Sequence, residues 1–544
     1  MSVHDTHLPV PPDFSEESTM TTASAEATVP NPIQRTRLSR AILLATVFVC
    51  AACGLVYELA LITLGAYLIG NTAAQASIVL SVMVFAMGLG ALAAKPLQKR
   101  PALSFALIEL ALAGIGGLSV VALYASFAWL HLYTAPLVTI AFLIGGLVGA
   151  EIPLLMELLQ RIKKQSAGTA VADLNAADYL GGLIGGLAFP FLLLPFMGQI
   201  RGAVLVGAVN AIAGLVLVFA VFRPDLTRLG RILTGSLAAL VAVSLVSVFV
   251  FTKQIEASAR QEFYSHPIIY SDTTQYQDIV LTESISPFQT DDFRMFLNGD
   301  LQFSSVDEYR YHEALVHPIM DGPRDDVLIL GGGDGLAVRE VVRYPDVDTI
   351  TLVDLDPAVT ELAMSYERLV DLNQGAMHDD RVDVVNDDAF TWLREQNDTW
   401  DTIIVDMPDP DSTELAKLYS VEFYSLARQA LGDEGRMTIQ SSSPYFAPDS
   451  YWTVASTLEE AGFDPVSYWV SVPTFGDWGF HSVSSEGKPT LSLDDSIGPL
   501  RSMNSESLAA AQSFPVDRQR RDLPPNTLID PVIVEYSRTE WKHY

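Results

Sequence analysis

Asp325-Asp-Val-Leu-Ile-Leu-Gly-Gly-Gly-Asp-Gly335 is an apolar run of strand length that ends in glycines and a carboxylate. Three later stretches repeat the shape: Leu352-Val-Asp-Leu-Asp-Pro357, Asn386-Asp-Asp-Ala-Phe390 and Ile403-Ile-Val-Asp-Met-Pro-Asp-Pro410. Most are followed by a helical pattern, so the repeat is a βα unit and the expected fold is a doubly wound, Rossmann-like parallel sheet of the methyltransferase type. Ligands of such sheets lie across the carboxyl ends of the strands. Gly331, Gly333, Asp334, Asp354, Asp388 and Asp406 are therefore expected to converge on one cleft.

Working outward, 544 residues exceed one ordinary core, so two or more domains are expected. Lys+Arg 33 against Asp+Glu 64 gives a net charge of −31. That sign argues against a nucleic-acid partner, because phosphate binding needs the opposite charge. It would attract small polycations, although a solubilising bias accounts for net charge equally well. Residues 1–37, rich in Ser, Thr, Pro and Glu, read as a disordered tail. No cleavable signal peptide is evident, since the first apolar run starts far from Met1 and is too long.

Residues 38–252 read as a transmembrane bundle. Apolar stretches of spanning length lie near 41–64, 76–94, 103–124, 134–156, 179–198, 202–222 and 231–251, which makes about seven helices in a lipid bilayer. Glycine pairs such as Gly145-Gly146 and Gly185-Gly186 suit close helix approach. Basic residues crowd alternate loops (Arg35, Arg37 and Arg40; Lys95, Lys99 and Arg100; Arg161, Lys163 and Lys164; Arg223, Arg228 and Arg231), which puts the N-terminus in the cytoplasm. Seven spans from there carry residues after 252 outside. Within the spans, Glu109, Glu157, Asp173 and Asp178 are expected near helix ends, while Glu58 and Glu151 lie deeper and line a polar path or pair. Cys50 and Cys53 read as small packing residues rather than a redox or zinc pair.

Residues 263–320 read as a small β subdomain, with a hairpin turn at Asn298-Gly299. Residues 321–485 hold the βα domain. Residues 486–544 form a polar extension with a late apolar strand at 531–535.

An ordered set of motifs now carries a resemblance. It comprises Tyr276-Gln-Asp-Ile279, Leu297-Asn-Gly-Asp-Leu-Gln302, Asp307-Glu308, Tyr311-His-Glu313, His317-Pro318, Gly331–Gly335 with Arg339-Glu340, Asp379-Asp-Arg-Val382, Asp388-Ala389, Asp406-Met-Pro-Asp-Pro410 and Gly476-Asp-Trp-Gly-Phe480. Residues 265–485 resemble the polyamine aminopropyltransferases, chiefly spermidine synthase, and the attached helices look like the family's membrane-bound branch. The resemblance implies transfer of an aminopropyl group from decarboxylated S-adenosylmethionine to putrescine, giving spermidine and 5′-methylthioadenosine. The nucleoside is a co-substrate; no cofactor and no metal are implied. By the same match Asp406 is the proton acceptor, and Tyr311, His312, Asp334 and Asp409 bind the polyamine or aminopropyl side. Asp307 would help line the amine pocket. Gln277, Gly331, Gly333, Asp354, Asp388 and Ala389 fall to the nucleoside, with Asp354 on the ribose and Asp388-Ala389 on adenine. A helix N-cap is the plainer reading of Asp388, and a turn or cap is that of Asp356.

Two departures bear on substrate. Asp411-Ser-Thr413 stands where many relatives have Gly-Pro, and Pro473-Thr-Phe475 where many soluble ones have Pro-Thr-Tyr. Competing readings are an S-adenosylmethionine-dependent methyltransferase and a transporter or sensor that only binds polyamine. Asp334 with Asp406 and Asp409 disfavours the methyltransferase, since these groups would repel the carboxylate of the intact nucleoside. A substrate pool inside the cell calls for a cytoplasmic catalytic domain, against the odd helix count. Soluble relatives oligomerise, which implies a homo-oligomer unless the helices impose another arrangement.

Overall fold

A computed structural model describes residues 32–69, 72–130, 132–162, 167–284 and 291–542. The chain divides into two compact units: residues up to 62 with 76–120 and 135–250, and residues 63–75 and 121–134 with 251–544. Most of the expected tail lies outside the described residues. Helix α1, however, begins at Pro32, so residues 32–37 are helical where the sequence reading had tail.

The helices are α1 (Pro32–Ile69), α2 (Thr72–Ala93), α3 (Pro101–Leu130), α4 (Thr134–Ile162), α5 (Ala167–Ala188), α6 (Leu194–Ala220) and α7 (Arg228–Gln261). Among the described residues six helical stretches are long and apolar enough to cross a membrane, by length and composition. The fifth, Gly168–Ala220, joins α5 to α6 through a π-helical turn and holds 53 residues. At about 1.5 Å per residue it would far overreach a bilayer core of ~30 Å if straight. Gly198 breaks it, at φ 70°. Two ion pairs show that the chain doubles back there. Asp173, near the start of α5, binds Arg40 of α1 at 2.5 Å. Asp225, just past α6, meets Arg161 at the end of α4, 3.6 Å away. α5 therefore starts, and α6 finishes, at the one basic end of the bundle.

Two of the carboxylates expected near helix ends are there: Asp173, and Glu157, which pairs with Arg161 at 3.3 Å. Glu109 is not. It is 1% exposed and lies in the bundle beside Glu151, at 4%, while Glu58 is only half-buried. The reason is on α6, where Asn210 donates to Glu109 Oε2 at 2.8 Å. Gly214 leaves room for the side chain, since a Cβ there would sit 2.7 Å from that of Glu109.

The second unit opens with an antiparallel meander, β1 (Ile268–Thr273), β2 (Asp278–Glu283), β3 (Phe293–Leu297) and β4 (Asp300–Ser304). Its β3–β4 turn is Asn298-Gly299, with φ 53° and 94°, the positive pair a tight two-residue hairpin demands. Helix α8 (Glu308–Val316) follows.

Then come β5 (Asp326–Gly331), α9 (Leu336–Val341), β6 (Thr349–Asp354), α10 (Pro357–Ser365), α11 (Glu367–Leu372), β7 (Val382–Asn386), α12 (Ala389–Glu395) and β8 (Trp400–Asp406). The chain continues through α13 (Thr413–Ala416), α14 (Val421–Ala430), β9 (Leu431–Gln440), α15 (Pro448–Glu460), β10 (Val466–Val472) and β11 (Gly476–Ser484). The strand order is β10-β11-β9-β8-β5-β6-β7, parallel from β9 to β7 and closed by an antiparallel hairpin. Its central strands are apolar on both faces, as a sheet covered on both sides requires; Leu328, Ile329, Ile403 and Ile404 are all fully buried.

Helices α16 (Ser505–Ala511) and α17 (Val532–Trp541) end the chain. The expected strand at 531–535 is instead the start of α17. Pro531 precedes its first turn, and Ile533, Val534 and Ser537 are buried at helical spacing.

Candidate active site

The parallel strands end in register. Gly331 of β5 faces Asp406 of β8, and Asp354 of β6 faces Asn386 of β7. Between β5 and β8 the chain order reverses, which is where a crevice opens in such a sheet. Gly331 must be glycine. Its φ is +83°, and a Cβ would lie 2.1 Å from the Asp406 carbonyl oxygen. A Cβ on Gly333 would meet the Asp354 carboxyl at 2.6 Å. The loop can therefore lie against the carboxylates that end the neighbouring strands.

A cavity of about 580 Å³ opens over this edge. Eleven of the residues singled out from the sequence line it: Gln277, Tyr311, His312, Gly331, Gly333, Asp334, Asp354, Asp388, Ala389, Asp406 and Asp409. Asp307 does not. It is buried and accepts from the Thr474 amide at 2.7 Å and its hydroxyl at 2.8 Å, which fixes the loop that carries Thr474 and Phe475 into the cavity wall.

Asp406 accepts from the Tyr311 hydroxyl through Oδ1 at 2.5 Å. Burial raises its pKa, opposed by His312 and by that hydrogen bond. Asp334, two residues before α9, is pushed up to about 6 by burial and by Asp406, against the pull of His312. Asp409 is also pushed up to about 6 by burial, although Ser442 Oγ at 2.8 Å and Gln440 Nε2 at 3.3 Å both donate to it. Gln440 ends β9 next to Asp406, and Ser442 sits at φ 66°, a strained position for serine.

His312 lies one residue after Tyr311 on α8. Its Nδ1 is 2.9 Å from Glu308 Oε2. Burial lowers the imidazole pKa, but Glu308 outweighs it and the net shift is upward. Glu308 is in turn held by both terminal nitrogens of Arg339, at 2.8 and 2.9 Å. This buried chain fixes the ring and leaves Nε2 for the cavity side.

On the nucleoside side, Asp354 Oδ2 accepts the Gly333 amide at 3.0 Å, and burial pushes its pKa to about 6. Asp356 caps α10 and also accepts from Thr274 Oγ1 at 2.7 Å and Gln277 Nε2 at 3.1 Å. It is thus a cap, as expected, and also a tie that orients Gln277. Asp388 caps α12 through Thr391 and pairs with Lys417 Nζ at 2.6 Å. Burial pushes its carboxyl up, yet these partners outweigh burial and hold it below the usual range. Cap and cavity wall are the same side chain here.

Sequence reasoning missed several lining residues. Asp300 and Asp411 add carboxylates, Gln440 adds an amide, and Trp478 and Trp541 add aromatic walls, with ring centroids 6.3 Å apart. Phe475 packs edge-on against Tyr311, at 6.0 Å, and tilted on Trp478, at 5.0 Å. Asp300, Asp411, Phe475 and Trp478 lay in stretches quoted above without being assigned to the site, whereas Gln440 and Trp541 are isolated in sequence. Seven aspartates line the cavity among the described residues, against one arginine, Arg538, and no lysine. Such a wall suits a ligand with several positive charges.

Residues 308–495 match the family described as spermine/spermidine synthase domain. The chain is 54% identical over 526 residues to polyamine aminopropyltransferase 1 of Streptomyces coelicolor, covering 96% of this chain and 98% of that one. It is 47% identical over 516 residues to the polyamine aminopropyltransferase of Mycobacterium tuberculosis, covering 92% and 97%. Among solved structures, spermidine synthase from Thermotoga maritima aligns with TM-score 0.37 and 24% identity, over 51% of this chain and 88% of that one.

Proposed function

The chain belongs to the polyamine aminopropyltransferases, in their membrane branch, and from that premise we propose that it transfers the aminopropyl group of decarboxylated S-adenosylmethionine to putrescine, giving spermidine and 5′-methylthioadenosine. The observation that carries the choice is the convergence of Asp334, Asp406 and Asp409 on one cavity whose described lining has aromatic and amide side chains but a single arginine.

The electrophile is a carbon bonded to a positive sulfur. The amine nitrogen forms a bond to that carbon, the carbon–sulfur bond breaks, and its electron pair leaves on sulfur as a neutral thioether. Acid assistance at sulfur is not needed. The nucleophile is the difficulty, because an alkylammonium has a pKa of about 10.4 in water and holds its lone pair as an N–H bond. Asp406 takes that proton. Its Oδ1 is held by Tyr311, and a Cβ on Gly332 would sit 3.0 Å from Oδ2, which supports an approach of the amine over the glycine loop. Burial helps by disfavouring the ammonium. Asp409 holds the far ammonium of the diamine, and Asp334 the ammonium of the aminopropyl chain. Asp354 accepts from the ribose hydroxyls, with Gln277 and Asp388-Ala389 on the rest of the nucleoside.

Purified full-length protein is incubated with decarboxylated S-adenosylmethionine and putrescine, cadaverine or spermidine, and methylthioadenosine release is followed. Putrescine is expected to give the fastest release, with spermidine as product. Faster release with spermidine as acceptor would replace this reading with a spermine-forming one. Intact S-adenosylmethionine giving a methylated amine would overturn it.

The same reading sets the catalytic unit in the cytoplasm, where both substrates would meet it, whereas basic loops followed by seven passes argue for the opposite face. Protease treatment of intact cells separates them: cleavage of the C-terminal unit from outside removes the cytoplasmic location.

A further inference from the structure

We propose that Cys50, Glu109 and Glu151 form a binding site for one divalent transition-metal ion of the zinc type inside the helical bundle. The three ligand atoms, one each from α1, α3 and α4, lie within 4.8 Å of one another. All three residues are buried, at 2%, 1% and 4% exposure. None of the ion pairs among the described residues involves Glu109 or Glu151. Two carboxyl groups and a thiol at membrane depth, without a cationic side chain bound to them, are costly to keep unless something neutralises them.

The unsatisfied atoms indicate what that is. Glu109 Oε2 is taken by Asn210 Nδ2 at 2.8 Å, while Glu109 Oε1 has no hydrogen-bond partner. Glu151 Oε1 has none either, and neither does Asn210 Oδ1 in a residue that is fully buried. Buried polar oxygens are rarely left so. A proton shared by the two carboxyl groups would satisfy one pair of oxygens and leave the Asn210 oxygen without a partner. A metal ion uses the thiolate and both carboxylates together. Zinc takes sulfur at ~2.3 Å and carboxylate oxygen at ~2.0–2.2 Å, so ligands now within 4.8 Å need close by only about 1 Å. Asn210 then orients Glu109, the role that outer hydrogen-bond partners play around bound metals. Binding displaces the thiol proton and any carboxyl proton to solvent. Cys53, one turn on, is not one of the three clustered ligands, and its Sγ donates to the Val206 carbonyl at 3.7 Å. It is the internal control. Both cysteines are buried, Cys50 within an apolar core cluster, as the sequence reading of packing residues expected.

Full-length protein in detergent is stripped with chelator, dialysed and titrated with cobalt(II), with zinc(II) as competitor. One cobalt per chain is expected, with a cobalt–thiolate charge-transfer band in the near ultraviolet that zinc abolishes. Cys50→Ser is expected to lose the band and Cys53→Ser to keep it. Glu109→Gln and Glu151→Gln are each expected to weaken binding by roughly tenfold or more. Should a variant fail to fold, protection of Cys50 in the unaltered protein from alkylation by zinc, read by mass spectrometry, serves in its place. No stoichiometric cobalt, a band unchanged in Cys50→Ser, or Cys50 alkylated equally with and without zinc would each overturn the site. Methylthioadenosine release by Cys50→Ser is expected to match the unaltered protein, so a failure here leaves the catalytic reading untouched.

Discussion

The Tyr311 hydroxyl donates to Asp406 Oδ1 at 2.5 Å, joining the third residue past the start of α8 to the last residue of β8. Burial raises the pKa of both groups, and the hydrogen bond draws that of Asp406 back down. Asp406→Asn is expected to abolish methylthioadenosine release, since an amide takes no proton. Tyr311→Phe is expected to keep some turnover while moving the acid limb of kcat to higher pH, because Asp406 loses a donor that favours its charged form. An acid limb that stays in place would remove Tyr311 from the tuning of Asp406.

Three carboxyls in the cavity, Asp334, Asp354 and Asp409, have pKa values of about 6 against an ordinary 3.8, chiefly through burial. A raised carboxyl pKa means that the folded protein binds more protons than the unfolded chain between about 4 and 6. The empty enzyme therefore loses stability as pH rises through that window. A bound dication reverses the sign for the groups it touches. Putrescine is expected to raise Tm more at pH 8 than at pH 5.5, with affinity falling by up to about tenfold per pH unit below 6 for each proton displaced. Equal shifts at both pH values would show that Asp409 does not hold the diamine.

Glu308 is 2% exposed and carries both Arg339 and His312. Glu308→Gln leaves Arg339, 5% exposed, without its bidentate partner. Breaking a buried pair from one side costs about 3–5 kcal/mol, so a clear fall in the denaturant midpoint is expected. The His312 pKa should fall with it, because Glu308 is the main group holding it up. A variant of unchanged stability with an unchanged His312 titration would show that the pair carries little.

Much of this was legible in the chain itself. Strands that end in Gly331, Asp354 and Asp406 align their polar ends because parallel pairing keeps register, so a list of motif positions becomes one cavity edge. What was not legible depends on partners distant in sequence. Glu109 falls in the first part of its apolar run, but its depth is set by Asn210 and Gly214 on another helix. Lys417 and Ser442 touch Asp388 and Asp409 without belonging to any motif. Val532-Ile-Val534 reads as strand because three β-branched residues carry no period of their own; only Ser537 and Trp541, further on, reveal a helical face.

That helix supplies the last prediction. Glu540 of α17 accepts the Asp449 and Ser450 amides, at 3.0 and 3.2 Å, and so pins α17 to the start of α15. Phe446 packs on Trp541 with centroids 5.5 Å apart. So held, Trp541 faces Trp478 across the wall of a cavity otherwise lined by aspartates. An ammonium passing two indole faces gains up to about 2 kcal/mol when desolvated. Trp541→Ala is expected to raise KM for the amine by roughly tenfold, the equivalent of ~1.4 kcal/mol, with little change in KM for the sulfonium nucleoside. Glu540→Gln, which weakens the pin without touching the wall, should move the same constant by less. If Trp541→Ala altered the nucleoside constant and spared that of the amine, α17 would belong to the other half of the cavity.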